Sequence, residues 1–217
     1  MASGDVIVCT GDSITDSDHR LDRRGLGYGY VDLVARALGE RATVVNAGIA
    51  GNRVAHLQAR WQTDVLDHRP TVLSVYIGIN DTLASFFEGR PTPVRVFEQH
   101  YADLLDRALG AGVGRLILVE PFFVDTELPS VRWGEGAQYI HEDLAPKQAV
   151  VRDLAARYGA GLVPLQSIMD SAGADRGPTM VAADGVHPTP LGAALIADAW
   201  LAAFDARKGP LLGPGSQ

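Results

Sequence analysis

Three residues near opposite ends of the chain carry the chemistry that this sequence can do. They are Ser13 in Gly11-Asp12-Ser13-Ile14, and Asp184 with His187 in Asp184-Gly185-Val186-His187-Pro188. A serine hydroxyl is a poor nucleophile until a base removes its proton. His187 can take that proton at Nε2. Asp184 can bond Nδ1–H, fix the tautomer and stabilise the imidazolium. Attack on an ester also builds negative charge on the carbonyl oxygen, which then needs donors. The Ser13 N–H, the Gly48 N–H of Asn46-Ala47-Gly48 and the Asn80 side-chain amide of Gly78-Ile79-Asn80-Asp81 are the candidates. One such donor is typically worth about 3–4 kcal/mol in a transition state. Taken singly, each of these pieces reads more readily as an ordinary turn or cap. What sets them apart is where they fall along the chain.

The elements that must position them follow from hydrophobic periodicity. Val6-Ile7-Val8-Cys9-Thr10 is a short β-branched run that reads as a buried strand, and Gly11 permits a sharp exit ahead of Ser13. Further strands are expected at Thr43–Asn46, Thr71–Ile77, Arg115–Val119 and Gly161–Leu165, the last at an edge because of Pro164. Helical spacing is expected at Tyr30–Leu38, Arg53–Asp67, Val94–Leu109 and Leu144–Tyr158. Pro146 fits only a first turn. A last helix should run to Ala206, with Thr189 as N-cap and Pro190 at the first helical position. The segments from Thr15 to Gly25, and those holding Gly48 and Asn80, read as loops. Asp16, Asp18 and His19 match no trusted metal spacing, so no metal is expected there. Alternating strands and helices imply a five-stranded parallel sheet with helices on both faces. In such a sheet all strand exits lie on one edge, where ligands bind, so Ser13, Gly48, Asn80 and the Asp184/His187 pair should converge.

Composition narrows the alternatives. The 217 residues suit one domain, expected over 1–208, with a Gly/Pro-rich tail at 209–217. No run of 18 apolar residues is present, so no membrane span is expected. The net charge is −7 and the lysines are only Lys147 and Lys208, which argues against a nucleic-acid partner. Cys9 is the sole cysteine, so no internal disulfide is expected, and a small buried hydrophobe is the favoured reading over a catalytic thiol. No secretory leader precedes the first strand, so a cytoplasmic location is expected unless a leader was removed.

On these four blocks the chain resembles the SGNH hydrolases, also called the GDSL esterase/lipase family, over about residues 5 to 205. The blocks are Gly11-Asp12-Ser13-Ile14, Asn46-Ala47-Gly48, Gly78-Ile79-Asn80-Asp81 and Asp184-Gly185-Val186-His187-Pro188, with Ile14 standing where the family name has Leu. The resemblance implies a flavodoxin-like three-layer α/β/α sandwich, a cofactor-free serine esterase, Ser13, His187 and Asp184 as triad, and Ser13, Gly48 and Asn80 as oxyanion donors. A narrower likeness is to bacterial acetylxylan and other carbohydrate acetylesterases. It rests on Gly27-Tyr28-Gly29-Tyr30-Val31, Ala59-Arg60-Trp61 and Glu120-Pro121-Phe122 together with the extended first and third blocks. That type implies removal of acetyl groups from sugars and, in some members, a homo-oligomer.

Asp12, Trp61 and Trp133 are the candidate substrate contacts, with Tyr28, Phe122, Phe123 and Arg132 as further lining. Trp61 lies at helical spacing and is equally a core residue. The competing enzyme reading is a lysophospholipase, thioesterase or general short-chain esterase on the same scaffold, which fold cannot separate. A flavodoxin-like binding module is the competitor outside enzymes. It is disfavoured because no G-x-G-x-x-G follows the first strand.

Overall fold

A computed structural model of the chain describes residues 4–126 and 136–206. Trp133, Arg132 and the 209–217 tail therefore lie outside the described residues. Among those described, five strands form one parallel sheet: β1 (Asp5–Gly11), β2 (Ala42–Gly48), β3 (Val72–Tyr76), β4 (Arg115–Val119) and β5 (Gly161–Val163). Their order is β2-β1-β3-β4-β5, with β5 at an edge as Pro164 implies. The chain steps from β1 outward to β2 and then returns to the other side of β1 as β3. That reversal opens a crevice at the carboxyl ends of β1 and β3, the place where parallel sheets bind ligands.

Register decides how well the crevice is shaped. Gly11 pairs with Gly48 on one side and with Tyr76 on the other, so three strands end at one level. Gly11 has to be glycine, because a Cβ there would lie 2.2 Å from Tyr76 O and 2.5 Å from Thr15 Oγ1. Side-chain alternation splits β1 between two cores. Ile7 and Cys9 face the layer holding α2 (Tyr30–Leu38) and α9 (Pro190–Ala206), while Val8 faces the layer of α3 (Val54–Asp64) and α5 (Val94–Gly110). In α9 the cap is built as its sequence suggests: Thr189 Oγ1 accepts from Gly192 N at 3.2 Å, with Pro190 leading the helix.

Three expectations need correction. The segment after Ser13 is not all loop, since α1 (Ser13–Asp16) begins at Ser13 itself and a 3₁₀ turn follows at His19–Leu21. Gly78-Ile79-Asn80-Asp81 is not a loop either. Gly78, at φ 137°, makes the turn, and α4 (Ile79–Glu88) starts at the next residue. The third correction is Pro146, which lies inside a long helix, α6 (Gly136–Arg157), rather than in its first turn. Proline removes the N–H that would bond the carbonyl four residues back and crowds that turn. Beside it, Lys147 is fully buried and its Nζ donates to Asp143 O at 3.1 Å, to the Asp143 carboxylate, and to Thr82 Oγ1 at 3.3 Å. The lysine thus supplies a donor to a carbonyl next to the break and ties α6 to α4. Two short helices that periodicity did not announce, α7 (Leu165–Arg176) and α8 (Pro178–Val181), lead from β5 towards the Asp184 loop.

Trp61 settles as core. It is fully buried on α3 among Leu57, Val65 and Leu104 of the same cluster, and so cannot touch a substrate. Truncating it to alanine should cost about 3–5 kcal/mol through lost burial and a cavity. Equilibrium urea unfolding of Trp61→Ala reads this directly, and a cost below about 1 kcal/mol would take Trp61 out of the core.

Candidate active site

Ser13 leaves β1 at Gly11 and opens α1. Asp12 caps that turn, its Oδ1 accepting from Ile14 N at 3.0 Å. From the other end of the chain, the turn after α8 brings His187 back. Asp184 Oδ1 accepts from Val186 N at 2.9 Å and His187 N at 2.7 Å, which folds 184–187 into a tight loop. An isolated bridge pairs Ala182 with Pro188 and holds the loop's exit. His187 Nδ1 then lies 2.6 Å from Asp184 Oδ2, and Nε2 lies 3.0 Å from Ser13 Oγ. With the Nδ1 proton on the carboxylate side, Nε2 presents its lone pair to the serine hydroxyl.

Electrostatics follow the same contacts. Burial works to raise the Asp184 carboxyl, but the hydrogen bonds from His187 and Val186 outweigh it and hold it at about 2. His187 is shifted upward from its ordinary value, first by its bond to Asp184 and also by the field of Asp184 and Asp12, against partial burial. Asp12 itself is fully buried, and desolvation pushes it up to about 7. It caps the Ser13 turn from beneath and is buried away from any substrate, contrary to expectation. Phe122 and Phe123 are likewise fully buried, whereas Tyr28 is 69% exposed and lines the cleft at Ser13.

That cleft has a volume of about 350 Å³. Ile14, Tyr30 and Ala193 form apolar wall, Ser13 and His187 lie along it, and Asp16, Ser17 and Asp18 add a polar side. Asp16 Oδ1 is bonded to His19 Nδ1 at 2.9 Å. Among the described residues no group of three or more His, Cys, Asp or Glu is placed to hold a metal.

Gly48 does not behave as expected. It is the last residue of β2, buried against α1, and its N–H donates to Asn46 Oδ1 at 2.9 Å. A Cβ there would lie 2.2 Å from Asp16 N, so close packing alone accounts for the glycine. Gly48 borders a separate groove with His19, Arg20 and His68. Gly51 stands on the loop instead, exposed at φ 76°, and its N–H has no hydrogen-bond partner among the described residues. Its neighbour Ala50 lines the cleft. Periodicity could have found it only by extending β2 two residues further, which leaves Gly51 as the loop's own glycine. Asn80, on the first turn of α4, donates from Nδ2 to Asn52 O at 3.2 Å and keeps a second N–H in hand. Asn46, also overlooked, is a buried staple: Nδ2 donates to Thr15 O at 2.6 Å and Leu26 O at 2.8 Å.

The fold and the site define a class: a parallel three-layer α/β protein with a serine, a histidine and an aspartate in line at the strand ends. The model of the GDSL-like lipase/acylhydrolase family matches residues 9–195, and the chain belongs to that family. It is therefore a carboxylic ester hydrolase. An acetylxylan esterase from Geobacillus stearothermophilus is 31% identical over 216 residues, covering 93% of this chain and 94% of the relative. The crystal structure of that organism's acetylxylan esterase Axe2 superposes with a TM-score of 0.79 at 27% identity, covering 94% of this chain and 96% of Axe2. LAE5, an α/β hydrolase from the metagenome of Lake Arreo, Spain, gives 0.81 at 30% identity, with 94% and 97% covered.

Cys9 takes no part in the site. It is fully buried in β1, and burial pushes its thiol up to about 12. A thiol-specific disulfide reagent at pH 8 should therefore find no reactive group in the native protein and one after denaturation. Rapid reaction of the native protein would place Cys9 at the surface.

Proposed function

We propose that this protein removes small acyl groups, acetyl above all, from a carbohydrate by an acyl-enzyme mechanism on Ser13, His187 and Asp184. The observation that carries the reading is the unbroken line from Ser13 Oγ through the His187 ring to Asp184, bordering a cleft of about 350 Å³. The acetylxylan esterase relative supports the substrate class. Catalytic mutants of Axe2 replace a serine and an aspartate, the two residue types that end this line.

In the first step the Ser13 proton passes to His187 Nε2 while Oγ bonds to the ester carbon, and the carbonyl π pair moves onto oxygen. The Ser13 N–H, the Gly51 N–H and the Asn80 amide are the donors assigned to that oxygen, with Gly51 in place of Gly48. Collapse of the intermediate breaks the bond to the alcohol, which leaves with the proton from His187. Water then attacks the acyl-serine with His187 again as base, releasing the acid and restoring Ser13. Asp184 stays ionised throughout, as its low titration point requires. The cleft lies near the small end of ligand sites, which favours a short acyl group, while its Asp16, Ser17 and Asp18 side offers acceptors for sugar hydroxyls.

Two measurements test the reading. p-Nitrophenyl acetate and acetylated xylobiose should be hydrolysed, with octanoate slower by at least about tenfold and all turnover lost in Ser13→Ala. Faster octanoate hydrolysis would move the assignment to a lipase or thioesterase. The second test is the pH profile. Activity needs neutral His187, so it should rise with pH through a midpoint above the ordinary imidazole value, since Asp184 raises it. In Asp184→Asn the raising partner is gone. That midpoint should move to lower pH while the plateau falls by about 10²–10⁴. An unmoved acid limb would remove Asp184 from the site.

A further inference from the structure

One side chain joins the loop that carries Gly51 to two strands of the sheet. Arg60 projects from α3 and is only 12% exposed. Its Nε donates to Asn52 Oδ1 at 2.8 Å, its Nη1 to Ala47 O at 2.7 Å, and its Nη2 to Gly11 O at 3.1 Å. Nη1 also reaches Asp64 Oδ2 at 3.3 Å. Gly11 is the strand residue two before the nucleophile, Ala47 is near the end of the neighbouring strand, and Asn52 follows Gly51. One planar cation therefore spans the nucleophile strand, the second strand and the donor loop.

Asn52 is the junction that gives this span a consequence. Its backbone oxygen accepts from Asn80 Nδ2 and its side-chain oxygen accepts from Arg60. Gly51 and Asn80 both depend on where Asn52 sits. Other ties of the loop are Ile49 N to Gly11 O at 3.1 Å, Ala50 N to Asp16 Oδ2 at 2.9 Å, and Asn52 N to Ile49 O at 3.1 Å, which closes the turn over Gly51. The first two lie before Gly51 and the third ends on Asn52, so beyond Gly51 the loop is held through Asn52. An arginine that served helix stability alone would be complete with its i,i+4 partner Asp64. The bonds to Gly11, Ala47 and Asn52 serve the spacing between strand exits.

We propose that Arg60 is a positioning residue for the hydrolytic reaction: acting through Asn52, its guanidinium fixes the distance between the Ser13 turn and the two other oxyanion donors, Gly51 N–H and Asn80 Nδ2. This rests on the esterase reading above. Lysine cannot replace it, because a point charge on a flexible stem cannot hold three acceptors in one plane. Donor placement matters only once charge develops on the oxygen, so the loss should fall on kcat and leave KM alone. A misplacement of about 1 Å can cost on the order of 10²-fold.

The test uses Arg60→Met, Asn52→Ala and the double variant, with Arg60→Lys beside them, all on p-nitrophenyl acetate. Each single variant should lose about 10- to 100-fold in kcat with KM within about twofold of wild type. The double variant should be no worse than the more damaged single one, because both remove one contact. Arg60→Lys should fall with Arg60→Met. Thermal unfolding of each variant separates stability from turnover, and Asn52→Ala decides the matter if Arg60→Met does not fold. Unchanged kcat in Asn52→Ala, losses that multiply in the double variant, or a rise in KM alone would overturn the proposal while leaving a Ser13-dependent esterase standing. A wild-type protein without Ser13-dependent turnover would overturn the esterase reading and this inference with it.

Discussion

The contact between Ser13 Oγ and His187 Nε2 joins residues 174 positions apart, and most of the fold can be understood as what holds those two atoms 3.0 Å from each other. Neither residue sits deep in a strand or helix. Ser13 is held by the end of β1 and by the Asp12 cap, and His187 by an Asx-type loop on Asp184. The distance between the loops is set by the helix that follows His187. Along α9, Ile196 and Trp200 pack in the same core as Ile7 and Cys9 of β1. Trp200 Nε1 also donates to Ser74 Oγ of β3 at 2.9 Å. Packing of the last helix on the central strands thus becomes positional accuracy at the carboxyl edge of the sheet.

Three nearly buried polar atoms beneath that edge lack hydrogen-bond partners among the described residues: Asp12 Oδ2, Asp81 Oδ1 and Tyr76 OH. Such groups cost free energy wherever they occur. Burial pushes Asp12 and Asp81 up to about 7 and about 6, so each carries its charge only at a cost in solvation. Both carboxylates have positional duties all the same. Asp12 caps the Ser13 turn, and Asp81 Oδ2 accepts from Val54 N at the start of α3 at 3.1 Å. Local stability is given up under the site for backbone placement, as functional sites commonly do.

How much of this was legible in the sequence depended on the kind of signal. The strands and α2, α5 and α9 were readable because periodicity, caps and glycines agreed, as at Tyr30–Leu38 with Gly39 beyond it. That Ser13, Asp184 and His187 would meet was readable because a parallel sheet brings its strand exits to one edge. The start of α4 was hidden because Gly78-Ile79-Asn80-Asp81 has turn composition, and the turn is in fact spent on Gly78 alone. Pro146 misled because the helix around it is tied to α4 through Lys147 and Thr82, a contact that no window of sequence shows. Gly48 and Gly51 could not be told apart, since both are glycines of one turn. Only the register of β2, which runs to Gly48, decides which N–H is used up and which is left over.

Lys147 has one more consequence. It is wholly enclosed, and the only other lysine in the sequence, Lys208, lies beyond the described residues. The basic side chains on the described surface are arginines, with histidines beside them. Activated acyl compounds readily modify exposed amines and spare a lysine that solvent cannot reach. Over the described part of this molecule there is no exposed ε-amine to acylate. Amine-directed coupling chemistry would find no lysine to attach to among the described residues.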